Sequence, residues 1–223
     1  MEKEFNIIDA YLKYNNQFII IISGLSGSNK SKISQKVASI LNFVYLNTRD
    51  YIEKTKYEEL ELSNKKTVKI WHSYNWEDII NKIKIINKDK KGIVICGEYF
   101  PSDKLGNLYI DQHYHIKVSK QNLIKKRLEY INNNKDKDRD RDRDKEEFYD
   151  DETESLIINQ AVYPYYLDII QKSRINKFIN VNEMIELNEN EYLDKIVDII
   201  INNIIDYIVQ YLKNKDLDKY IIF

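Results

Sequence analysis

Between Gly24 and Ser31 the chain reads Gly24-Leu25-Ser26-Gly27-Ser28-Asn29-Lys30-Ser31, the pattern G-x-x-x-x-G-K-S/T with Asn29 in the place of the second glycine. Each part of that pattern has a chemical task. Successive backbone N–H groups leading into a helix N-terminus surround an anionic phosphate. The lysine adds a mobile positive charge at the β- and γ-phosphates, and the hydroxyl helps to hold Mg²⁺. Asparagine enters the left-handed region more readily than other residues with a Cβ, so the loop is expected to keep its shape, with that Cβ crowding the phosphate.

Two acids lie where they could serve such a phosphate. Asp50 and Glu98 fall near the C-terminal ends of expected strands, the edge at which open α/β sheets bind ligands. Other reactive residue types have weaker claims. His113 and His115 flank Tyr114 on an expected strand, which aims both rings to one side, but no third metal ligand accompanies them and a structural role is expected. Cys96 ends an apolar run and lacks the exposed, electropositive setting of a reactive thiol. His72, beside Trp71 in a polar stretch, has no argued role.

The elements that would position these groups follow from hydrophobic spacing. Phe18-Ile19-Ile20-Ile21-Ile22 is apolar and β-branched without alternation, as in a strand buried on both faces of a parallel sheet. Further strands are expected at Phe43–Leu46, Ile93–Cys96, Tyr114–Val118 and Phe178–Val181. Helical spacing is read over Lys30–Leu41, Trp76–Ile86, Gln121–Ile131, Leu156–Lys172 and Leu193–Leu212, and a helix of mixed character over Tyr51–Leu62. Strands alternating with helices imply an α/β fold: a five-stranded parallel sheet with right-handed crossovers and helices on both faces, in a single domain over residues 1–223. The final helix, rich in Ile, is expected to pack on the sheet. Residues 132–150 differ in kind. They run through Asn132-Asn133-Asn134 into alternating Lys/Arg and Asp with no apolar residue before Phe148, a composition expected to make a mobile insertion in a lid.

Composition narrows the function classes. In 223 residues, Lys plus Arg is 35 and Asp plus Glu is 36, a net charge of −1, so no global electrostatic attraction to nucleic acid is expected. The alternating charges of the lid cancel, which argues against a nucleic-acid tail there. At 43% hydrophobic residues the chain can bury a core, and no apolar stretch reaches the length of a membrane span. One cysteine and no signal-type opening fit a reducing, cytoplasmic setting.

Taken in order, several segments resemble one family. Phe18-Ile19-Ile20-Ile21-Ile22-Ser23-Gly24, followed after five residues by Lys30-Ser31, resembles the opening of the nicotinamide riboside kinase and uridine kinase group of P-loop kinases. Tyr45-Leu46-Asn47-Thr48-Arg49-Asp50-Tyr51 is similar to that family's strand ending in acidic and aromatic residues. Tyr74-Asn75-Trp76-Glu77-Asp78 is similar to its ribose-gripping element, and Val162-Tyr163-Pro164-Tyr165-Tyr166 to the V-W-P-x-Y of the helix after its lid. Lys125-Lys126-Arg127 stands where the family carries lid cations.

The resemblance implies a phosphotransferase that uses ATP and Mg²⁺ to phosphorylate the 5′-hydroxyl of a ribonucleoside, either nicotinamide riboside or uridine/cytidine. Gly24 to Ser31 and Lys126 would bind ATP, and Ser31 and Glu98 the metal. Asp50, Lys30, Arg127 and Glu98 would act in catalysis; Asp50, Tyr74, Asn75, Glu77 and Tyr163 would contact the nucleoside. The partner implied is a small-molecule nucleoside, with neither nucleic acid nor membrane, on a monomer or homodimer. Two positions depart from the family as Asn29 does. Its proton-accepting acid falls at Arg49, one residue before Asp50. Its third-strand glutamate falls at Cys96, two residues before Glu98, a displacement of about 6–7 Å along an extended strand. These departures keep open an alternative: a degenerate homologue that binds nucleotide or a partner without efficient turnover.

Overall fold

The protein is described from a computed structural model over residues 7–53, 55–70, 74–88, 92–134, 150–184 and 187–215. In chain order its elements are α1 (Ile7–Asn15), β1 (Phe18–Gly24), α2 (Lys30–Leu41), β2 (Val44–Asn47), a 3-10 turn (Thr48–Tyr51), β3 (Glu58–Glu61), β4 (Thr67–Ile70) and α3 (Trp76–Lys88). There follow β5 (Gly92–Gly97), α4 (Ser102–Leu105), β6 (Gln112–Lys117), α5 (Lys120–Asn134), α6 (Asp151–Ile157), a π-helical turn (Ile158–Val162), α7 (Tyr163–Lys172), β7 (Lys177–Asn180), a 3-10 turn (Asn182–Met184) and α8 (Glu189–Asn214).

Five strands form one parallel sheet in the order β2-β5-β1-β6-β7, with β1 in register with β5 through Phe18–Gly92 and with β6 through Ile20–Gln112. Every residue of β1 is buried. The two-residue pleat sends Phe18, Ile20 and Ile22 into one core cluster and Ile19 and Ile21 into another, so both faces are covered and no polar alternation is possible. On the first face α2 brings Ile33, Val37 and Leu41 against Ile196, Ile200, Ile204 and Ile208 of α8; on the second, α3 supplies Ile79, Ile83 and Ile86. The chain leaves β1 for the edge strand β2, returns through β5 and then crosses to β6. The loop after β1 therefore opens where the winding direction reverses, at the C-terminal edge of the sheet.

Three elements differ from the sequence expectation. The helix read over Tyr51–Leu62 is a 3-10 turn followed by an antiparallel hairpin, β3 pairing with β4 through Leu60–Val68. Glu, Lys and Leu favour helix, but Leu60 and Leu62 alternate with charged residues, and Lys65 takes φ 66° in the turn that reverses the chain. Leu156–Lys172 is interrupted by the π-helical turn rather than continuous. The sequence reading assigned no element to α1, whose Tyr11 is buried. Tyr11 donates to Asp111 Oδ1 at 2.6 Å, and the Ile19 N–H donates to Oδ2 at 2.7 Å. Burial raises the Asp111 carboxyl to about 6, against the lowering effect of those two bonds.

The expected lid insertion lies for the most part outside the described residues. No helix among the described residues is long and apolar enough to cross a membrane.

Candidate active site

The loop from β1 into α2 takes the conformation its sequence requires. Gly27 has φ 87°, and Asn29, at the N-terminus of α2, has φ 59° and ψ 16°, the left-handed region that asparagine tolerates. Gly24 has no room for a side chain, since a Cβ there would come 2.7 Å from Ser28 Oγ and 3.0 Å from the Ile116 carbonyl. Leu25 anchors the loop in the core. The Ser28 N–H donates to the Leu25 carbonyl at 3.1 Å, and its hydroxyl is buried without a hydrogen-bond partner.

The loop forms one wall of a cavity of about 550 Å³, through Ser26, Gly27, Asn29, Lys30, Ser31 and Lys32. Lys126 and Arg127 face it from α5, and Arg49 from the turn after β2. The cations are held by neighbours of several kinds. Lys30 Nζ lies 3.7 Å from Glu98 Oε1, and Arg127 Nε donates to Glu154 Oε2 at 3.3 Å. Lys126 sits 4.2 Å above the Tyr192 ring, where burial lowers its pKa. Ser31 Oγ lies 3.6 Å from the buried Cys96 Sγ, and burial, reinforced by Cys96, raises the adjacent Tyr45 phenol.

A second cavity of about 620 Å³ is walled by the aromatic rings of Tyr57, Tyr74, Trp76, Tyr99 and Tyr165, with Glu53, Lys56, Glu58 and Lys104 among its other lining residues. Tyr74 meets Trp76 edge-on at 5.8 Å and Tyr99 at 5.3 Å, and Tyr99 meets Tyr165 at 5.4 Å. Burial raises the Tyr74 phenol and the Glu98 charge raises it further, while Thr48 and Arg49 pull the other way. Glu98 lines neither cavity; it pairs with Lys30 of the first and precedes Tyr99 of the second in the chain, while Arg49 lines the first.

Of the residues expected from sequence, Ser26, Gly27, Asn29, Lys30, Ser31, Lys126 and Arg127 line the first cavity and Tyr74 the second; Gly24, Leu25 and Ser28 are buried beneath the loop, and Glu98 reaches the first cavity through its pair with Lys30. The structure places others elsewhere. Asp50 lines neither cavity; its charge acts on Tyr45 and Tyr51. Asn75 caps α3, its side-chain oxygen accepting from the Asp78 N–H at 3.1 Å while its amide donates to the Asp78 carboxylate at 2.6 Å. Glu77 is exposed in the first turn of α3. Tyr163 packs on the core beside Tyr166, with Lys120 Nζ 5.6 Å from its ring centroid. The sequence reading singled out only Tyr74 among the aromatic walls. Tyr57 was hidden by the misread hairpin, and Tyr99 could have been found as the neighbour of Glu98 just past a strand end.

Directly behind the loop, Ser23, His113 and His115 are buried, and both rings lie on one side of β6 with Ser23 Oγ between them. The proton positions follow from the end of the chain of bonds. The Arg174 carbonyl only accepts, so His113 Nδ1 donates to it at 2.9 Å. Burial lowers the pKa of His113 to about 4 and that of His115 to about 3, leaving both neutral at pH 7. Ser23 then donates to His113 Nε2 at 2.7 Å, His115 Nδ1 donates to Ser23 Oγ at 2.8 Å, and the Tyr166 hydroxyl donates to His115 Nε2 at 2.8 Å. Among the described residues no group of three or more His, Cys, Asp or Glu side chains converges as a metal site would require.

The sequence matches no protein-family model and no curated protein. Among solved structures the fold is similar to an uncharacterized protein from Eubacterium ventriosum, at 18% identity and a TM-score of 0.49, covering 85% of this chain and 99% of that one. It is also similar to shikimate kinase from Bacteroides thetaiotaomicron, at 13% identity and a TM-score of 0.45, covering 84% and 98%. A gluconokinase from Sinorhizobium meliloti is a further similar structure, at 8% identity and a TM-score of 0.43, covering 83% and 97%.

Proposed function

We propose that the protein is a P-loop phosphotransferase that uses Mg-ATP to phosphorylate the 5′-hydroxyl of a ribonucleoside, nicotinamide riboside or uridine/cytidine. One observation carries this reading: the phosphate-type loop lines a cavity with Lys30, Lys32, Arg49, Lys126 and Arg127, and Lys30 lies 3.7 Å from Glu98, the chain neighbour of Tyr99 in a second, aromatic cavity. A polyphosphate matches the first in charge. A flat aromatic ring system matches the second, where edge-on aromatic walls leave faces for stacking. The order of sequence segments shared with nucleoside kinases supports the same assignment.

The side chains divide the work accordingly. Backbone N–H groups of the loop and the α2 N-terminus receive the β-phosphate, and Lys30 follows the γ-phosphate. Arg127 and Lys126 close over the triphosphate from α5. Hard oxygen donors suit Mg²⁺, and Ser31 and Glu98 provide them, whereas the Cys96 sulfur is a poor match. Bound there, the metal supplies positive charge against the triphosphate. Glu98 accepts the hydroxyl proton as the acceptor oxygen forms its bond to phosphorus and the bridging oxygen departs on ADP. Loss of a general base slows such a reaction by about 10²–10⁴-fold.

A second reading, nucleotide binding without turnover, is favoured by Cys96 lying against Ser31. The two readings separate in one experiment. The protein is incubated with Mg-ATP and nicotinamide riboside, uridine or cytidine, and products are followed by mass. A monophosphate that is absent with Lys30→Ala and slowed by Glu98→Gln supports the kinase. An ATP-dependent rise in melting temperature without any monophosphate supports the binder, and neither effect sinks both.

A further inference from the structure

We infer that Arg49 is a cation that meets the transferred phosphoryl group in the loop-lined cavity, at the position where the resemblance to nucleoside kinases would place a carboxylate. The inference rests on the phosphotransferase reading and adds a catalytic residue to it. Arg49 leaves the end of β2 on the 3-10 turn and lines the phosphate cavity together with Lys126 and Arg127 of α5. Its charge also acts on Tyr74, which belongs to the aromatic cavity. Lys30, 3.7 Å from Glu98, lines the phosphate cavity as well. A phosphoryl group held in this cavity is therefore surrounded by Lys30, Arg49, Lys126 and Arg127.

That position suits a guanidinium better than a base. In phosphoryl transfer, negative charge spreads over the three equatorial oxygens while the bond to the bridging oxygen breaks and the bond to the acceptor oxygen forms. A planar fork of N–H donors spans two such oxygens at once, which a lysine point charge cannot do. The acceptor proton still leaves to Glu98, so atoms and charge balance without a second acid. The family's acid is thus replaced by a group with a different task. Asp50, one residue on, lines neither cavity.

The test compares ADP affinity with and without fluoroaluminate, which mimics the flying phosphoryl group, by calorimetry in Mg²⁺ on the full chain. In the wild type, fluoroaluminate should tighten ADP by about 10²-fold or more, as transition-state analogues do. That ratio should collapse to about two-fold or less in Arg49→Gln and be intermediate in Arg49→Lys, the variant that keeps charge but not the fork. Arg49 is exposed on a turn, so both variants should fold. Turnover should fall by about 10³-fold in Arg49→Gln, in line with other arginines that act on a transferring phosphoryl group. Full tightening in Arg49→Gln overturns the assignment, as does a wild type whose ADP affinity fluoroaluminate leaves unchanged. A wild type that binds no ADP at all overturns instead the phosphotransferase reading beneath it.

Discussion

Asn29 decides whether an irregular phosphate loop works, and its backbone makes the consequence calculable. At φ 59° a residue with a β-branch or plain Cβ is strained by about 1–2 kcal/mol, which asparagine largely avoids. Asn29→Ala should destabilise the protein by about 1 kcal/mol, whereas Asn29→Gly should stay within about 0.5 kcal/mol of wild type, both measured as urea midpoints. The glycine variant should bind ATP at least as tightly, because it removes the Cβ beside the phosphates. Much of this loop was legible in sequence, since spacing alone located Gly24, Gly27, Lys30 and Ser31. The choice between Arg49 and Asp50 was not, because side-chain direction in a tight 3-10 turn cannot be read from strand alternation. Asn75 and Glu77 show the same limit: short polar motifs at a helix start serve capping as readily as recognition.

At the scale of elements, the buried histidines bind β1, β6 and α7 into one unit that is sensitive to acid. Their pKa values are depressed in the folded state, so their contribution to stability is complete above about 6.5 and is lost as pH falls toward about 4 for His113 and about 3 for His115. Asp111, raised to about 6, acts in the opposite sense: its contribution is complete below 3.8 and is lost as pH rises through about 6. Between pH 6 and 4 two histidines therefore outweigh one carboxyl, and the unfolded chain binds about one proton more. Stability should fall by about 1.4 kcal/mol per pH unit over that range, seen as a declining urea midpoint. A flat profile would show that one of the two histidines is charged in the folded protein, and stability rising as pH falls would show that both are. The five sheet strands were legible because burial on both faces leaves unbroken apolar runs. The β3–β4 hairpin was not, because its helix-favouring composition masks a two-residue alternation only four residues long.

Across the whole molecule, α1 and α8 form a strap at the end of the sheet away from the phosphate loop. Tyr11 touches Phe18, Tyr207 and Tyr211, and Tyr211 donates to Asn15 at 2.7 Å, so the N-terminal helix is bound to the C-terminal one. Tyr11→Phe keeps the ring and removes one donor to a buried carboxylate, which should cost about 1–3 kcal/mol in thermal or urea unfolding. It should also raise the Asp111 carboxyl still further, since the lost bond lowers it. At the opposite end, Lys32 pairs with Glu189 at 2.5 Å and Lys36 with Asp194, so α2 and α8 are tied on the loop side by exposed ion pairs of little energetic weight. The line of bonds from Tyr166 to the Arg174 carbonyl leaves α7, passes through β6 and β1 and returns just past the end of α7, and all its hydrogens point one way. Its two imidazole Nδ1 protons are shielded from solvent, so they should exchange slowly and resonate as resolved downfield lines in a proton spectrum at neutral pH. Such lines would be a built-in spectroscopic tag for the seating of α7, read without any label and in the absence of ligand.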